Sequence, residues 1–342
     1  MVQGRSFVSV FSSWDAHHYL AIAEHGYLFS FNPANLQSPA FFPGYPALVR
    51  VTSLNGVLPT LLGAVVVSLV SSIGFVGALS ALGRRLNLTQ RQILAWVALV
   101  SVAPMSIVLM MPYSESLFCC LAAWALVKAI DGKLWACSLL TLCAGTVRPT
   151  SVGLSCAILV VGIGQIRSEH PGWPQARRLG QVAAAAALSA LGMFAYLAWV
   201  GWRMGAPLAW FQLQSHIWNT RFDFGAATLQ YIHTAFTTAP ALLDVVTALV
   251  VVAAVMLCFL TVRKTPAALW SYTLVTLAQV LGSDGIMNSK IRLMVPAFIL
   301  LIPIITWVTG PTGRRQNLVY ALAAVASASY TAYALVLYPY AI

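Results

Sequence analysis

Residues 57–82 read VLPTLLGAVVVSLVSSIGFVGALSAL, without a single charge, and Gly83-Arg84-Arg85 closes the run. A helix needs about 20 consecutive apolar residues to cross a hydrocarbon core of ~30 Å. This stretch is long enough to span, and it ends on cations that stay at the membrane surface. Nine further apolar runs follow, at 92–111, 113–130, 134–147, 149–166, 181–202, 241–262, 267–282, 293–309 and 318–340. Those at 134–147 and 267–282 are short and suit tilted, broken or re-entrant segments. The stretch 44–54 carries Arg50, is closed by Asn55-Gly56 and Pro59, and reads as an interfacial or partly inserted helix. Of the 342 residues, 60% are hydrophobic and 8% charged, against roughly 25% charged in soluble domains. A soluble fold of this size would lack polar surface to cover itself, and the same composition excludes disorder. The chain is therefore predicted to be an all-α polytopic membrane protein with about ten spanning helices.

Charge placement decides what the basic excess means. The chain has 19 Lys and Arg against 8 Asp and Glu, a net charge of +11. Twelve of the basic residues (Arg84, Arg85, Arg91, Lys128, Lys133, Arg167, Arg177, Arg178, Arg263, Lys264, Arg314, Arg315) fall in one set of alternating loops, whose acids are Asp131 and Glu169. The other set holds Arg5, Arg50, Arg148, Arg203, Arg221, Lys290 and Arg292 with the remaining six acids. By the positive-inside rule the first set is cytoplasmic. The excess is thus a topology signal, and nucleic-acid binding is not expected. Residues 1–13 are too short to span, so either the chain begins outside or a preceding helix lies beyond this reading frame. No 7–15-residue apolar core precedes Trp14, and no signal peptide is expected. The six cysteines lie within apolar runs and read as small buried hydrophobes.

Five polar clusters on the outer side break the apolar pattern. Ser13-Trp14-Asp15-Ala16-His17-His18-Tyr19 through Tyr27 reads as an amphipathic helix capped by Ser13, closed by Gly26, and lying at the membrane surface. Asp15, His18 and Ile22 share one face, and Trp14, Tyr19 and Tyr27 suit an interface. Asp15 reads either as a carboxylate drawn to a helix N-terminus or as a reacting group. Ser38 to Pro46 is a stiff turn of three prolines and three aromatics, an aromatic belt or a substrate lining. In Met111 to Phe118, Glu115 is either a structural residue behind an N-cap Ser114 or a functional membrane-depth carboxylate. Arg148, between Val147 and Pro149, is an isolated guanidinium that calls for an anion: Glu115, Asp15 or a ligand phosphate. In Ser283 to Arg292, Lys290 and Arg292 flank a helix start suited to phosphate capture, or a solvated loop. No His, Cys or acidic spacing argues for a metal.

Read in order, Trp14-Asp15-x-x-His18-Tyr19, Ala23-Glu24-His25-Gly26-Tyr27, Ala40-Phe41-Phe42-Pro43-Gly44-Tyr45-Pro46, Tyr113-Ser114-Glu115-Ser116-Leu117-Phe118 and Arg148 resemble the PIG-V family of membrane mannosyltransferases, within the GT-C glycosyltransferases. Pro207-Leu208-Ala209-Trp210-Phe211-Gln212 is similar to that family's outer loop, and Ser289-Lys290-Ile291-Arg292-Leu293 is a weaker match. The family's usual first spanning helix is not seen before Trp14, and the chain is short for the family.

The resemblance implies a single domain over 1–342, with a first outer interfacial region at 14–56 and a second outer loop at 203–240. It implies a GT-C-like bundle that moves mannose from a polyprenyl- or dolichyl-phosphate carrier to a glycolipid, such as a GPI or phosphatidylinositol-mannoside intermediate. Such enzymes work on the non-cytoplasmic face, the outer side of a bacterial plasma membrane or the ER lumen of a eukaryote. The donor is a substrate, so no cofactor and no metal is expected. In this setting Asp15 is expected to be the general base, with His18 orienting it or binding sugar. Arg148, Lys290 and Arg292 are expected to hold the donor phosphate. Glu115 would hold Arg148 or contact mannose, while Tyr113, Trp14, Phe41, Phe42 and Tyr45 would line the sugar or prenyl path. Two other readings stay open: a transporter or flippase of a lipid-linked sugar, and a non-catalytic subunit of a membrane transferase with an accessory partner.

Overall fold

The computed structural model describes residues 7–168, 175–238, 241–310, 314–333 and 335. Arg5 and Glu169 of the charge sets lie outside the described residues, as does most of 334–340. In chain order the α-helices are α1 (Phe7–Phe11), α2 (Asp15–His25), α3 (Gly44–Thr52), α4 (Thr60–Arg85), α5 (Gln90–Ser101), α6 (Glu115–Ile130), α7 (Leu134–Gly145) and α8 (Val152–Ser168). There follow α9 (Gln175–Met204), α10 (Ala209–Ile217), α11 (Ala226–Thr238), α12 (Leu242–Thr261), α13 (Ala267–Leu281), α14 (Lys290–Leu293), α15 (Ile302–Val308) and α16 (Arg314–Ala332). No strand occurs among the described residues; a single bridge pairs Phe222 with Ser283.

Four helices are long and apolar enough to cross a membrane, Thr60–Arg85, Pro149–Arg167, Ala176–Met204 and Leu242–Thr261. A bent pair, Met287–Leu293 with Val295–Val308, makes up to five. The other predicted runs form shorter or interrupted helices. Proline explains two interruptions, because it removes a backbone donor and clashes with the preceding turn. The run 92–111 stops as helix at Ser101, ahead of Pro104 and a left-handed Met105 (φ 63°). The run 293–309 starts as a 3₁₀ segment, Val295–Leu301, containing Pro296 and a non-helical Ala297, and bends by 65° from the turn before it. The outward faces of the long helices carry exposed Val70, Ile73, Phe194, Met256 and Phe259. Such surface is stable against lipid and not against water.

α6 is the central element and touches α4, α7, α8 and α13. Phe118, Ala122, Ala123, Ala125 and Leu126 are fully enclosed. Trp96 of α5 donates to the Phe298 carbonyl at 3.0 Å, tying the 295–301 segment to the same core. α6 also fixes two ends of the molecule. Its 16 residues measure about 24 Å at 1.5 Å per residue. Beyond its C-terminus Asp131 pairs with Arg85 at the end of α4. At its N-terminus stands Glu115, and the polar clusters gather there.

Three local expectations are corrected. Trp14, at φ 56°, occupies the N-cap of α2 with no side-chain cap bond, so Ser13 is not the cap; Gly26 does close the helix. Ser114 sits at the N-cap of α6 in helical geometry and makes no cap bond either. Tyr19 is buried instead of lying at a surface. Of the cysteines, Cys119, Cys137 and Cys258 are buried, whereas Cys143 is exposed.

Candidate functional site

Four chain segments deliver one charged group each to the same end of the bundle. Asp15 is the first residue of α2, and Glu115 is the first residue of α6. Both positions favour a carboxylate, since backbone N–H groups there carry partial positive charge. Arg148 follows α7 in extended backbone (φ −152°, ψ 146°), where Pro149 prevents the helix from continuing. Arg292 lies in the four-residue α14.

The segments are held in place by specific contacts. The Gly44 N–H donates to the Thr146 carbonyl at 2.7 Å. A Cβ at Gly44 would stand 2.6 Å from Thr146 Oγ1, so only glycine lets the proline turn approach the segment carrying Arg148. The segment before α6 is bound to α4 by Ser68 and Ser72, which donate to the Met111 and Leu109 carbonyls at 2.7 and 2.6 Å. The turn before α14 is anchored through Asn288, whose Oδ1 accepts from Tyr231 at 2.6 Å and from Thr247 at 3.2 Å.

The result is a chain of alternating charges. Arg148 Nη1 lies 2.8 Å from Glu115 Oε1. The same Glu115 oxygen is 3.6 Å from Arg292 Nε, and Arg292 Nη2 is 2.8 Å from Asp15 Oδ2. Side-chain exposure is lowest in its interior, 1% at Glu115 and 8% at Arg292, and higher at its two ends, 12% at Arg148 and 20% at Asp15. Arg148 also donates to Ser114 Oγ at 3.1 Å, and that hydroxyl pairs with Tyr19 Oη at 2.7 Å. Burial pushes the Tyr19 hydroxyl well above its ordinary titration range, so it remains a neutral partner. Tyr113 lies under Arg292 at 5.1 Å and donates to the Ser13 carbonyl at 3.0 Å.

Desolvating ions costs several kcal/mol each, and pairing offsets this only with good geometry. Here the geometry is incomplete. Glu115 Oε2, Arg292 Nε and Nη1, Ser116 Oγ and Thr150 Oγ1 are buried without a hydrogen-bond partner. Each such atom costs about 1–3 kcal/mol. Glu115 Oε2 and Arg292 Nε and Nη1 belong to the charge cluster itself, so it keeps donors and an acceptor open to a ligand.

The remaining expected residues sit around this cluster or apart from it. His18 Nδ1 donates to the Leu36 carbonyl at 3.0 Å, which leaves Nε2 as the acceptor of the neutral ring. The ring stacks on Phe41 at 4.5 Å and meets the edge of Trp218 at 5.3 Å. Burial lowers its pKa. His18 therefore contacts an aromatic wall, and its bonded nitrogen is not turned to Asp15. Trp14 packs with Ala16, Met105, Val108 and Tyr113. Tyr45 is fully buried, donating to the Ala64 carbonyl and pairing with Ser68 at 2.9 Å. Phe42 packs against Tyr196 and Trp210. Both are thus core residues, apart from the charges. Lys290 Nζ donates to the Val280 and Ser283 carbonyls at 2.7 and 2.5 Å, so its ammonium closes the C-terminus of α13. Ser114, Tyr19 and Trp218 join the site without having been expected there. Trp210 Nε1 donates to the Ala40 carbonyl at 3.1 Å, which seats α10 on the proline turn.

Comparison with known proteins places this geometry in context. Residues 2–222 match the family described as Mannosyltransferase (PIG-V). Asp15, Glu115 and Arg148 fall inside that match; Lys290 and Arg292 lie beyond it. The chain is 37% identical over 146 residues to GPI alpha-1,6-mannosyltransferase 2 of Mus musculus, covering 40% of this chain and 28% of that protein. It is 34% identical over 148 residues to the protein of the same name from Homo sapiens, with the same coverage. The match thus spans little more than a quarter of the length of these curated relatives. No solved structure matches the chain.

Proposed function

The chain belongs to the Mannosyltransferase (PIG-V) family, and from that premise we propose that it transfers mannose from a polyprenyl- or dolichyl-phosphate donor to a glycolipid acceptor on the non-cytoplasmic face. The observation that carries the reading is the buried Asp15–Arg292–Glu115–Arg148 chain. A donor of this class leaves as a lipid phosphate, a stable anion that needs positive charge in a site poor in water more than it needs a proton. Arg148 and Arg292 supply such charge.

Asp15, the most exposed of the four, is the general base. It takes the acceptor hydroxyl's proton from hydrogen-bonding distance, about 2.6–3.2 Å. The hydroxyl oxygen attacks the anomeric carbon as the bond to phosphate breaks. A β-linked donor then gives an α-mannoside by inversion. Glu115 keeps both guanidiniums in place, and Lys290 fixes the turn that carries Arg292. The neutral His18, with Phe41 and Trp218, offers a flat wall for a sugar. We also infer that the shorter apolar helices complete a GT-C-like bundle of about ten spans, with α2 at the interface. The α in the relatives' name and their GPI-directed activity support an α-linked product on a GPI- or phosphatidylinositol-mannoside-like lipid.

Asp15→Asn tests the assignment. General-base catalysis contributes 10²–10⁴-fold, about 3–5 kcal/mol of barrier. Membranes holding the variant should lose that factor in transfer from radiolabelled polyprenyl-phosphomannose. Wild-type turnover would remove Asp15 from the chemistry. Movement of the carrier without a new glycosidic bond would favour a transporter instead.

A further inference from the structure

The two carboxylates and two guanidiniums of the site cancel pairwise. An arriving phosphate therefore meets no spare positive charge. It meets two nitrogens without a hydrogen-bond partner, Arg292 Nε and Nη1, both buried and on the guanidinium that already holds Asp15. Once a phosphate engages Arg292, one carboxylate must give way. Glu115 cannot: its side chain is 1% exposed and also bound by Arg148 at 2.8 Å. Asp15 can, because it is 20% exposed and Arg292 is its ion-pair partner among the described residues.

We infer that the Asp15–Arg292 pair is a donor-operated latch: the donor phosphate takes Arg292 from Asp15, so that the base becomes free for the acceptor hydroxyl only in the donor-loaded site. Arg292 is then a positioning residue for Asp15 as well as a phosphate ligand, and donor binds before acceptor. The inference rests on the transfer reading above, and it explains why the base is kept paired. Before the donor arrives, the pair leaves neither ion uncompensated in a site with little water.

The latch makes a prediction opposite in sign to ordinary active-site damage. With Asp15 removed as competitor, phosphate should bind more tightly. The probe is a polyprenyl phosphate in detergent micelles, titrated by calorimetry against wild type, Asp15→Asn and Glu24→Gln. Glu24 lies on the same helix, is exposed and pairs with His25. Asp15→Asn should tighten binding about tenfold, inside the 5–150-fold range of coupled sites, while Glu24→Gln leaves it unchanged. Unchanged or weaker binding by Asp15→Asn, or no binding by any of the three proteins, overturns the latch.

Should Asp15→Asn fail to run as a monodisperse protein, wild-type kinetics decide. A dead-end acceptor analogue should be uncompetitive against donor, and a competitive or mixed pattern overturns the order. Failure of the latch is distinct from failure of the transfer reading. Mannose transfer with unchanged Asp15→Asn affinity sinks only the former; tightened binding without any transfer sinks only the latter.

Discussion

Glu115 is the deepest charge among the described residues, and its loss should be felt as instability before it is felt as chemistry. Glu115→Leu leaves Arg148, which is 2.8 Å away, without its anion. It also removes the second carboxylate beside Arg292, at 3.6 Å. Two guanidiniums, 8% and 12% exposed, would then face one carboxylate. Breaking a buried pair in this way costs about 3–5 kcal/mol, because an uncompensated buried charge is left behind. That is a large share of the about 5–15 kcal/mol by which proteins are stable. At about 2–4 °C per kcal/mol, the thermal midpoint should fall by roughly 6–20 °C. The decisive comparison is the double variant Glu115→Leu with Arg148→Met. It removes one anion and one cation together, and leaves Arg292 matched to Asp15. Replacing a buried pair by apolar groups of similar volume is often neutral, so the double variant should regain most of the loss. The assay is a double-mutant cycle on thermal unfolding in a single detergent. A Glu115→Leu loss below about 1 kcal/mol, or a double variant as damaged as the two singles added, would show that these charges are not paired as described.

Two further outcomes follow from local geometry. A Cβ at Gly192 of α9 would stand 2.0 Å from the Leu142 carbonyl of α7, while one at Gly164 of α8 meets nothing within 4 Å. Gly192→Ala should destabilise by about 1–3 kcal/mol through overpacking, and Gly164→Ala should stabilise slightly as a helix position freed of glycine's entropy cost; equal midpoints for both would refute that helix contact. For His18 the folded pKa is lowered by burial, so the unfolded chain takes up the proton first as pH falls. Its contribution is present above the unfolded value of about 6.5 and is lost as pH drops through the lower folded value. Thermal midpoints recorded from pH 7.5 downward should show this decline in wild type and less of it in His18→Phe, and identical pH slopes would refute it.

Much of this was legible in the residues. Asp15, Glu115 and Arg148 stand out because each is a charge set in otherwise apolar sequence, and the structure draws them into one cluster. The long spans at Thr60–Arg85 and Leu242–Thr261 were equally plain from their uninterrupted length. The pairing was not legible. Arg148 could be matched to Asp15, Glu115 or a phosphate, and only the fold sets Arg292 beside Asp15. Lys290 resembles a phosphate ligand in one dimension, yet it spends its donors on carbonyls seven and ten residues back. Tyr45 and Phe42 read as interface aromatics because composition does not say which face of a turn is buried. The breaks after Ser101 and at Val295–Leu301 are signalled by Pro104 and Pro296, which apolar length alone does not register.

α14 is only four residues long, too short to hold its own conformation, since the first helical turn is itself unfavourable. Its guanidinium hangs on anchors elsewhere: Asn288 clasped by Tyr231 and Thr247, and Lys290 clamped to the end of α13. Substitutions at Tyr231 on α11 and Thr247 on α12 can accordingly shift this cation without changing any member of the charge cluster. The position of this guanidinium is thus set by the guy-ropes as much as by the pole.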